Sequence, residues 1–337
     1  MDTGIMLCGH GSRDGEAIAE FEQLAAGLRA KLPAIDIATG YLEFARPTIR
    51  DGLERLKASG AKRLLAIPGM LFAASHVKND LPWEINSFAA ANPALALRFG
   101  RELAIEPKLL RAAAERIAAA EQQGSRAIPR GETLLLVVGR GTNDPDANSN
   151  IAKLARLLWE GMGFGWAEAA FSGVAYPLVE PALKRALGLG FRRVIVFPYF
   201  LFTGVLVKRI YAAADRVAAR HPEIELLKAS YLNDHPLVLD CFADRIQETV
   251  DGEPVMNCTL CKYRAQIIGY EADHAAPQAA HHHHVRGIGT EADRAVHHHD
   301  HHHGNGHDDR HDHRHGGDHD HHPPLSAARP RNGTRES

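Results

Sequence analysis

Two histidines and a glutamate follow three apolar runs in the first third of the chain. His10 stands two residues after the run 5–8, Glu43 directly follows the run 35–42, and His76 follows the run 64–68 after a short loop. Ligand sites in open parallel sheets lie outside the carboxyl ends of the strands, so we expect these side chains at one rim. Neutral imidazoles bind divalent metals and accept protons near neutral pH, and a carboxylate can assist either task. The alternative is that His10 only fills a turn and His76 only begins a helix.

The turn around His10 occurs twice. Gly-His-Gly-Ser-Arg-Asp is repeated 130 residues later as Gly-Arg-Gly-Thr-Asn-Asp, and prolines and glycines further on keep the same offset. In this register His10 aligns with Arg140, and His76 aligns with Leu206. The pattern predicts a duplicated scaffold with one active site between two similar lobes, and only the first lobe carries the histidines.

The fold class predicted from the apolar runs is α/β. Residues 1–125 alternate short continuous apolar runs with helical patterns, and residues 133–251 repeat the series. Such runs favour parallel sheets covered on both faces, because a sheet with one wet face would alternate apolar and polar residues. We expect an N-terminal lobe and a C-terminal lobe, both doubly wound and flavodoxin-like. The segment 252–337 contains a Cys-x-x-Cys motif and a histidine-rich tail. The tail has no apolar periodicity over residues 274–322, and we predict that it is disordered.

Composition narrows the class of protein. The chain has 337 residues, 45% hydrophobic and 24% charged, enough for a large core. A net charge of -2 offers no basic surface to nucleic acid. Neither a membrane-spanning run nor a signal peptide is recognisable, which favours the cytoplasm and counts against a periplasmic binding protein. The Gly-His-Gly-Ser-Arg turn lacks the spacing of a nucleotide-binding loop, although its backbone and Arg13 suit an anion.

Two motifs in the last part of the chain point to metal handling. Cys258 and Cys261 form a Cys-x-x-Cys pair that can hold one soft metal or half of an iron–sulfur cluster, whereas Cys8 and Cys241 are expected to pack in the core. A plain pair of surface thiols is the alternative. The segment 274–322 contains 18 of the 22 histidines, which suits divalent ions such as cobalt(II), nickel(II) or zinc(II). An expression tag is a weaker explanation, because the clusters are irregular and internal.

Taken together, these motifs resemble the long form of the sirohydrochlorin cobaltochelatase family, within the class II tetrapyrrole chelatases. The similarity covers residues 4–264 and includes the Gly-His-Gly-Ser-Arg turn, a Tyr-Leu-Glu-x-x-x-Pro segment at 41–47 and the region around His76. It extends to the degenerate second half and to Met-x-Cys-x-x-Cys followed by a histidine-rich stretch. The resemblance implies insertion of cobalt(II) into sirohydrochlorin, with release of two protons and no nucleotide, on the route to cobalamin.

The resemblance also implies roles for individual residues. His10 and His76 would bind the metal ion and accept protons, with Glu43 as an assistant. Cys258 and Cys261 match the iron–sulfur motif of the family.

Further expectations concern the substrate and the rival functions. Sirohydrochlorin bears many carboxylates, and four cations are placed to pair with them: Arg13, Arg46, Lys78 and Arg140. Iron(II) or nickel(II) insertion is the nearest rival. A metal-storage protein or metallochaperone that acts through its histidine-rich tail is the rival of another class. The sequence leaves the oligomeric state open, and a homo-oligomer is compatible with it.

Overall fold

The computed structural model describes residues 2–252 and 268–273. Eight strands lie in this part of the chain: β1 (Thr3–Gly9), β2 (Asp36–Tyr41), β3 (Arg63–Pro68), β4 (Ala96–Phe99), β5 (Thr133–Gly139), β6 (Trp166–Phe171), β7 (Arg193–Pro198) and β8 (Glu225–Lys228). Eight α-helices connect or follow them: α1 (Gly15–Lys31), α2 (Ile49–Ala58), α3 (Leu81–Ala91), α4 (Pro107–Glu121), α5 (Pro145–Met162), α6 (Val179–Leu187), α7 (Val205–Ala218) and α8 (Pro236–Asp251). A π-helix, His76–Asp80, precedes α3. Among these helices none has the length and apolar character needed to cross a membrane.

The strands form two parallel sheets with the same order. The first sheet runs β2-β1-β3-β4 and the second runs β6-β5-β7-β8. The registers also correspond, since Gly4 pairs with Asp36 in the first sheet and Leu134 pairs with Trp166 in the second. The order is that of flavodoxin-like sheets. The prediction of two similar doubly wound lobes is confirmed.

The core lies in three layers of apolar side chains that follow the pleat of the strands. In β1, Ile5 and Leu7 belong to a central cluster that also contains Leu135 and Val137 of β5. Met6 of β1 points the other way, into a cluster confined to the first lobe. The second lobe has an equivalent outer cluster of its own. Alternate residues of a strand point to opposite faces of its sheet. In each lobe, one face therefore packs into the central cluster, which joins the lobes, and the other face packs into the outer cluster of that lobe.

The last helix of each lobe packs against the other lobe. Helix α4 follows β4 in the chain but contacts β7 and β8, whereas α8 contacts α1 and β3. The buried Arg245 of α8 donates to the Glu106 carboxylate, 2.8 Å away in the first half of the chain. Each lobe in space is therefore covered in part by a helix from the other half of the sequence.

Candidate metal centre

The three predicted ligands meet at the carboxyl ends of β1, β2 and β3. The rings of His10 and His76 have centroids 4.7 Å apart and an interplanar angle of 84°. His10 Nε2 lies 3.3 Å from Glu43 Oε1. One ligand atom from each of the three side chains lies within 4.8 Å of the others, a spacing suited to one divalent ion.

Gly11 brings the His10 turn against Glu43. Its φ is +93°, and a Cβ at this position would lie 1.7 Å from the Glu43 carbonyl oxygen. The Glu43 N–H donates to the His10 carbonyl at 3.0 Å. Only glycine fits a left-handed turn this close to another backbone segment, so the second glycine of the motif positions His10 beside Glu43.

Hydrogen bonds donated by the ring nitrogens orient both imidazoles. His10 Nδ1 lies 3.0 Å from the Gly11 carbonyl, and His76 Nδ1 lies 2.7 Å from Asp80 Oδ2. These acceptors assign the proton to Nδ1 and leave each Nε2 lone pair available to a metal. Sequence analysis missed Asp80, although its position four residues after His76 at the start of a predicted helix was a usable signal.

Burial sets the charge of the site. Loss of solvation, together with the nearby Arg140 and His76, lowers the pKa of His10 to about 3. Loss of solvation also raises the pKa of Glu43 above its usual range, although His76 and Arg140 oppose the rise. At neutral pH, His10 is therefore a neutral imidazole, and Glu43 is a stronger base than an ordinary glutamate.

A cavity of about 560 Å³ lies between the lobes and includes the histidines in its wall. Arg13 and Phe44 line it from the first lobe, and the Arg13 guanidinium stacks on the Phe44 ring at 4.7 Å from its centroid. Tyr199 and Phe202 are among the side chains from the second lobe. The cavity is the size of a small-molecule pocket and suits a flat apolar ligand with charged edges.

Arg140 reaches the site from the second lobe. Its Nη2 lies 3.4 Å from His10 Nε2, and its side chain is exposed to the cavity. The residue that replaces His10 in the second copy thus faces His10 itself.

Two of the cations predicted to meet substrate carboxylates lie elsewhere. Arg46 is half-exposed, and its Nη1 is 3.9 Å from Asp51, away from the cavity wall. Lys78 differs more from the expectation, because its side chain is only 2% exposed and bonded to the second lobe. Side chains two residues apart on a helical turn point in nearly opposite directions, so Lys78 faces away from the cavity that His76 faces.

Two lysines connect the lobes through equivalent ion pairs. Lys78 Nζ lies 2.7 Å from Asp144 and 3.2 Å from Asp146, and we call this group the buried latch. At an offset of 130 residues, Lys208 Nζ lies 2.9 Å from both Asp14 and Glu16, and we call this group the exposed latch. Asp144 and Asp14 also cap the helices α5 and α1.

The predicted iron–sulfur ligands, Cys258 and Cys261, and the histidine-rich segment lie outside the described residues. Cys8 and Cys241 are buried in β1 and α8, as predicted, and burial raises the pKa of both thiols. Neither of these two thiols is suited to supply a thiolate to a cluster.

Comparison with known proteins agrees with the duplicated fold. Residues 4–120 and 134–249 each match the profile of the CbiX family. The sirohydrochlorin cobaltochelatase of Priestia megaterium is 35% identical over 80% of this chain and 87% of its own length. The sirohydrochlorin ferrochelatase of Bacillus subtilis (strain 168) is 29% identical over 74% of this chain and 92% of its own.

The structure of SirB from Bacillus subtilis with Fe³⁺ superposes with a TM-score of 0.64 at 27% identity, covering 74% of this chain and 96% of that one. Both halves of the sequence, the lobe architecture and the similarity to these relatives lead to one conclusion: the chain belongs to the CbiX family.

Proposed function

We propose that the protein inserts a divalent metal ion into sirohydrochlorin and that cobalt(II) is its ion in the cell. The observation that carries the proposal is the convergence of His10, Glu43 and His76 beside the inter-lobe cavity, whose wall includes the two histidines. Three ligands leave coordination positions open, and the cavity beside them can hold the macrocycle.

The reaction exchanges two protons for one ion. Each of two pyrrole N–H groups loses its proton while the metal ion forms bonds to the ring nitrogens, so no oxidant, reductant or nucleotide is needed. His10 and His76 hold the incoming ion through Nε2. Arg13 lies in the cavity wall, where its guanidinium suits a carboxylate at the edge of the macrocycle.

The electrostatics assign the proton-accepting and metal-binding roles differently from the sequence analysis. A pKa of about 3 makes His10 a poor proton acceptor, while the raised pKa of Glu43 makes this carboxylate a better one. Glu43 therefore accepts one pyrrole proton in our proposal, His76 Nε2 accepts the second once the ion has left it for the ring nitrogens, and His10 serves as a ligand.

Support for cobalt comes from the relatives and from the sequence. The relative named as a cobaltochelatase is 35% identical to this chain, whereas the one named as a ferrochelatase is 29% identical. The Cys258 to Cys261 pair and the histidine-rich segment also favour cobalt in the family resemblance. Two imidazoles and a carboxylate do not by themselves rank cobalt(II), iron(II) and nickel(II) strongly.

The test is a direct insertion assay. Purified full-length protein is mixed with sirohydrochlorin and cobalt(II), iron(II) or nickel(II) in separate reactions, and the absorption spectrum is followed against the uncatalysed rate. We expect insertion with cobalt(II) to exceed the rate with the other ions. His10→Ala and His76→Ala should lose the activity, whereas His221→Ala, at an exposed histidine of the second lobe, should keep it. Faster insertion of iron(II) or nickel(II) would refute cobalt as the cell's ion.

A metal-storage function predicts that removal of the tail abolishes function, whereas the proposed enzyme function predicts that insertion continues without it. A chain that ends at residue 264 should still insert cobalt when the ion is plentiful if the lobes hold the active site. Loss of all insertion by this variant, with normal insertion by His10→Ala, would favour storage or delivery through the tail.

A further inference from the structure

We propose that Arg140 is a built-in counter-cation for the metal site. It occupies the ligand set when no ion is bound, and it moves to a substrate carboxylate when the ion binds. This inference rests on the proposed function, because it assigns the ligand set to a metal ion and the cavity to a carboxylate-bearing tetrapyrrole.

The first step concerns one lone pair. His10 Nδ1 is directed at the Gly11 carbonyl, so Nε2 carries the lone pair, and Arg140 Nη2 lies 3.4 Å from it. A divalent metal would bind the same lone pair at about 2.0–2.2 Å. A guanidinium N–H and a metal ion cannot share it, so one cation leaves when the other arrives.

The second step concerns charge. Arg140 faces His10 and exerts an electrostatic attraction on Glu43, and it thus compensates the carboxylate of an empty site. An ion that binds His10 and Glu43 would carry two further positive charges close to the guanidinium. Repulsion between like charges a few ångströms apart is stronger near a protein surface than in bulk water, so the bound ion drives the side chain away.

The third step concerns where the guanidinium goes. The backbone of Arg140 is fixed, because its carbonyl accepts from Ser172 Oγ at 2.9 Å and Gly141 packs against the Gly173 carbonyl. Its side chain, by contrast, is exposed to the cavity. A guanidinium there can form a two-pronged pair with a carboxylate, which a bound tetrapyrrole would offer.

This exchange couples the two substrates. Tetrapyrrole binding draws Arg140 away from His10 and so favours the metal ion, and by linkage the bound ion favours the tetrapyrrole. The metal site would then bind its ion tightly only when the acceptor macrocycle is present.

The test measures cobalt(II) affinity of the metal site without tetrapyrrole. Full-length wild type and Arg140→Gln are titrated with cobalt(II) alone, and each is compared with the same chain carrying His10→Ala and His76→Ala, so that binding elsewhere in the chain is subtracted. We expect Arg140→Gln to bind cobalt(II) about tenfold more tightly than wild type, because the competing charge is gone. Arg13→Gln is the matched control, since it removes one positive charge from the same cavity but not from His10, and its effect should stay below about threefold.

A second measurement separates this role from a structural one. Binding of sirohydrochlorin without metal should weaken in Arg140→Gln while cobalt(II) binding tightens. A variant that merely disturbed the fold would lose both affinities. Arg140→Lys keeps the charge and should hold cobalt(II) affinity close to that of wild type.

Unchanged or weaker cobalt(II) binding by Arg140→Gln would overturn the inference, as would an equal gain in Arg13→Gln. If wild type binds no more cobalt(II) than its His10→Ala, His76→Ala counterpart, the proposed metal site itself fails, which is a distinct result.

Discussion

The two lobes share a framework and differ at the proposed metal site. Both place a left-handed glycine at the same point of the turn, Gly11 in the first lobe and Gly141 in the second. At the positions of the three proposed ligands the second lobe has non-ligating residues instead: Arg140, Gly173 and Leu206. The proposed ligands therefore belong to one copy, and the other copy supplies a facing wall and a positive charge.

The two latches show the same kind of difference. Each joins a lysine of one lobe to two carboxylates at the start of a helix in the other. The lysine of the buried latch is 2% exposed, and that of the exposed latch is 49% exposed. Equal charges at equivalent positions should therefore have unequal energies, because water screens only one group. Lys78 of the buried latch also lies two residues from His76, so this latch joins the lobes beside the proposed metal site.

Removal of each lysine should give the largest contrast. Lys78→Met leaves Asp144 and Asp146 buried without their ammonium, and we expect it to lower the free energy of unfolding by about 3–5 kcal/mol. Lys208→Met is the matched control and should change stability little, since Asp14 and Glu16 gain water in place of the lysine. Urea unfolding of the metal-free proteins measures both. Equal losses would show that burial does not distinguish the latches.

The two glycine turns should respond alike in stability and differently in metal binding. Gly11→Ala and Gly141→Ala both force a Cβ against a carbonyl, at 1.7 Å and 1.8 Å, in a left-handed conformation. Each should cost at least about 2 kcal/mol of stability. Only Gly11→Ala displaces His10 from Glu43, so cobalt(II) titration should show a loss of affinity for this variant alone. A similar loss in Gly141→Ala would mean that the wall positions the ligands as strongly as their own turn does.

The carboxylate behind His76 should matter for metal binding, whereas a carboxylate beside an exposed histidine of the second lobe should not. Asp80→Asn weakens the hydrogen bond that orients His76, and we expect cobalt(II) affinity to fall about 10- to 100-fold. Glu223→Gln is the control, because Glu223 Oε1 lies 3.1 Å from Nδ1 of the exposed His221. Metal titration of the full-length variants decides the point, and equal effects would deny Asp80 its positioning role.

The fold could be predicted from the sequence because each continuous apolar run corresponds to a strand that is buried on both faces. Residues such as Ile5 and Met6 are buried on opposite faces of β1, and this two-sided burial is what a continuous apolar run indicates. The 130-residue offset predicted the second lobe in the same way. The convergence of His10, Glu43 and His76 also followed from a general rule about the ends of parallel strands.

The sequence did not predict what depends on contacts across the lobes. Hydrophobic periodicity does not reveal that α4 and α8 each pack against the other lobe. An apolar face is enough to predict a helix, whichever partner that face contacts. From the sequence alone, Lys78 is predicted to be a cation at the rim of the active site. Only the structure shows which side of the π-helix it occupies. The 130-residue alignment of Lys78 with Lys208, and of Asp14 with Asp144, was nonetheless a usable signal of paired latches.

The pH dependence of stability contrasts the ionisable His10 with its permanently charged counterpart, Arg140. The unfolded chain protonates this imidazole below about pH 6.5, whereas the folded protein keeps it neutral until its pKa of about 3. Unfolding therefore takes up a proton in this window, and the free energy of unfolding falls by up to about 1.4 kcal/mol for each pH unit of acidification. His10→Gln should remove this contribution, so its stability should decline less steeply than that of wild type between pH 6 and pH 4. Arg140→Gln should give an intermediate slope, because Arg140 is one cause of the lowered pKa. Urea unfolding at several pH values, with a chelator present and the other histidines unchanged, compares the three slopes, and identical slopes would show that His10 is not held neutral by its surroundings.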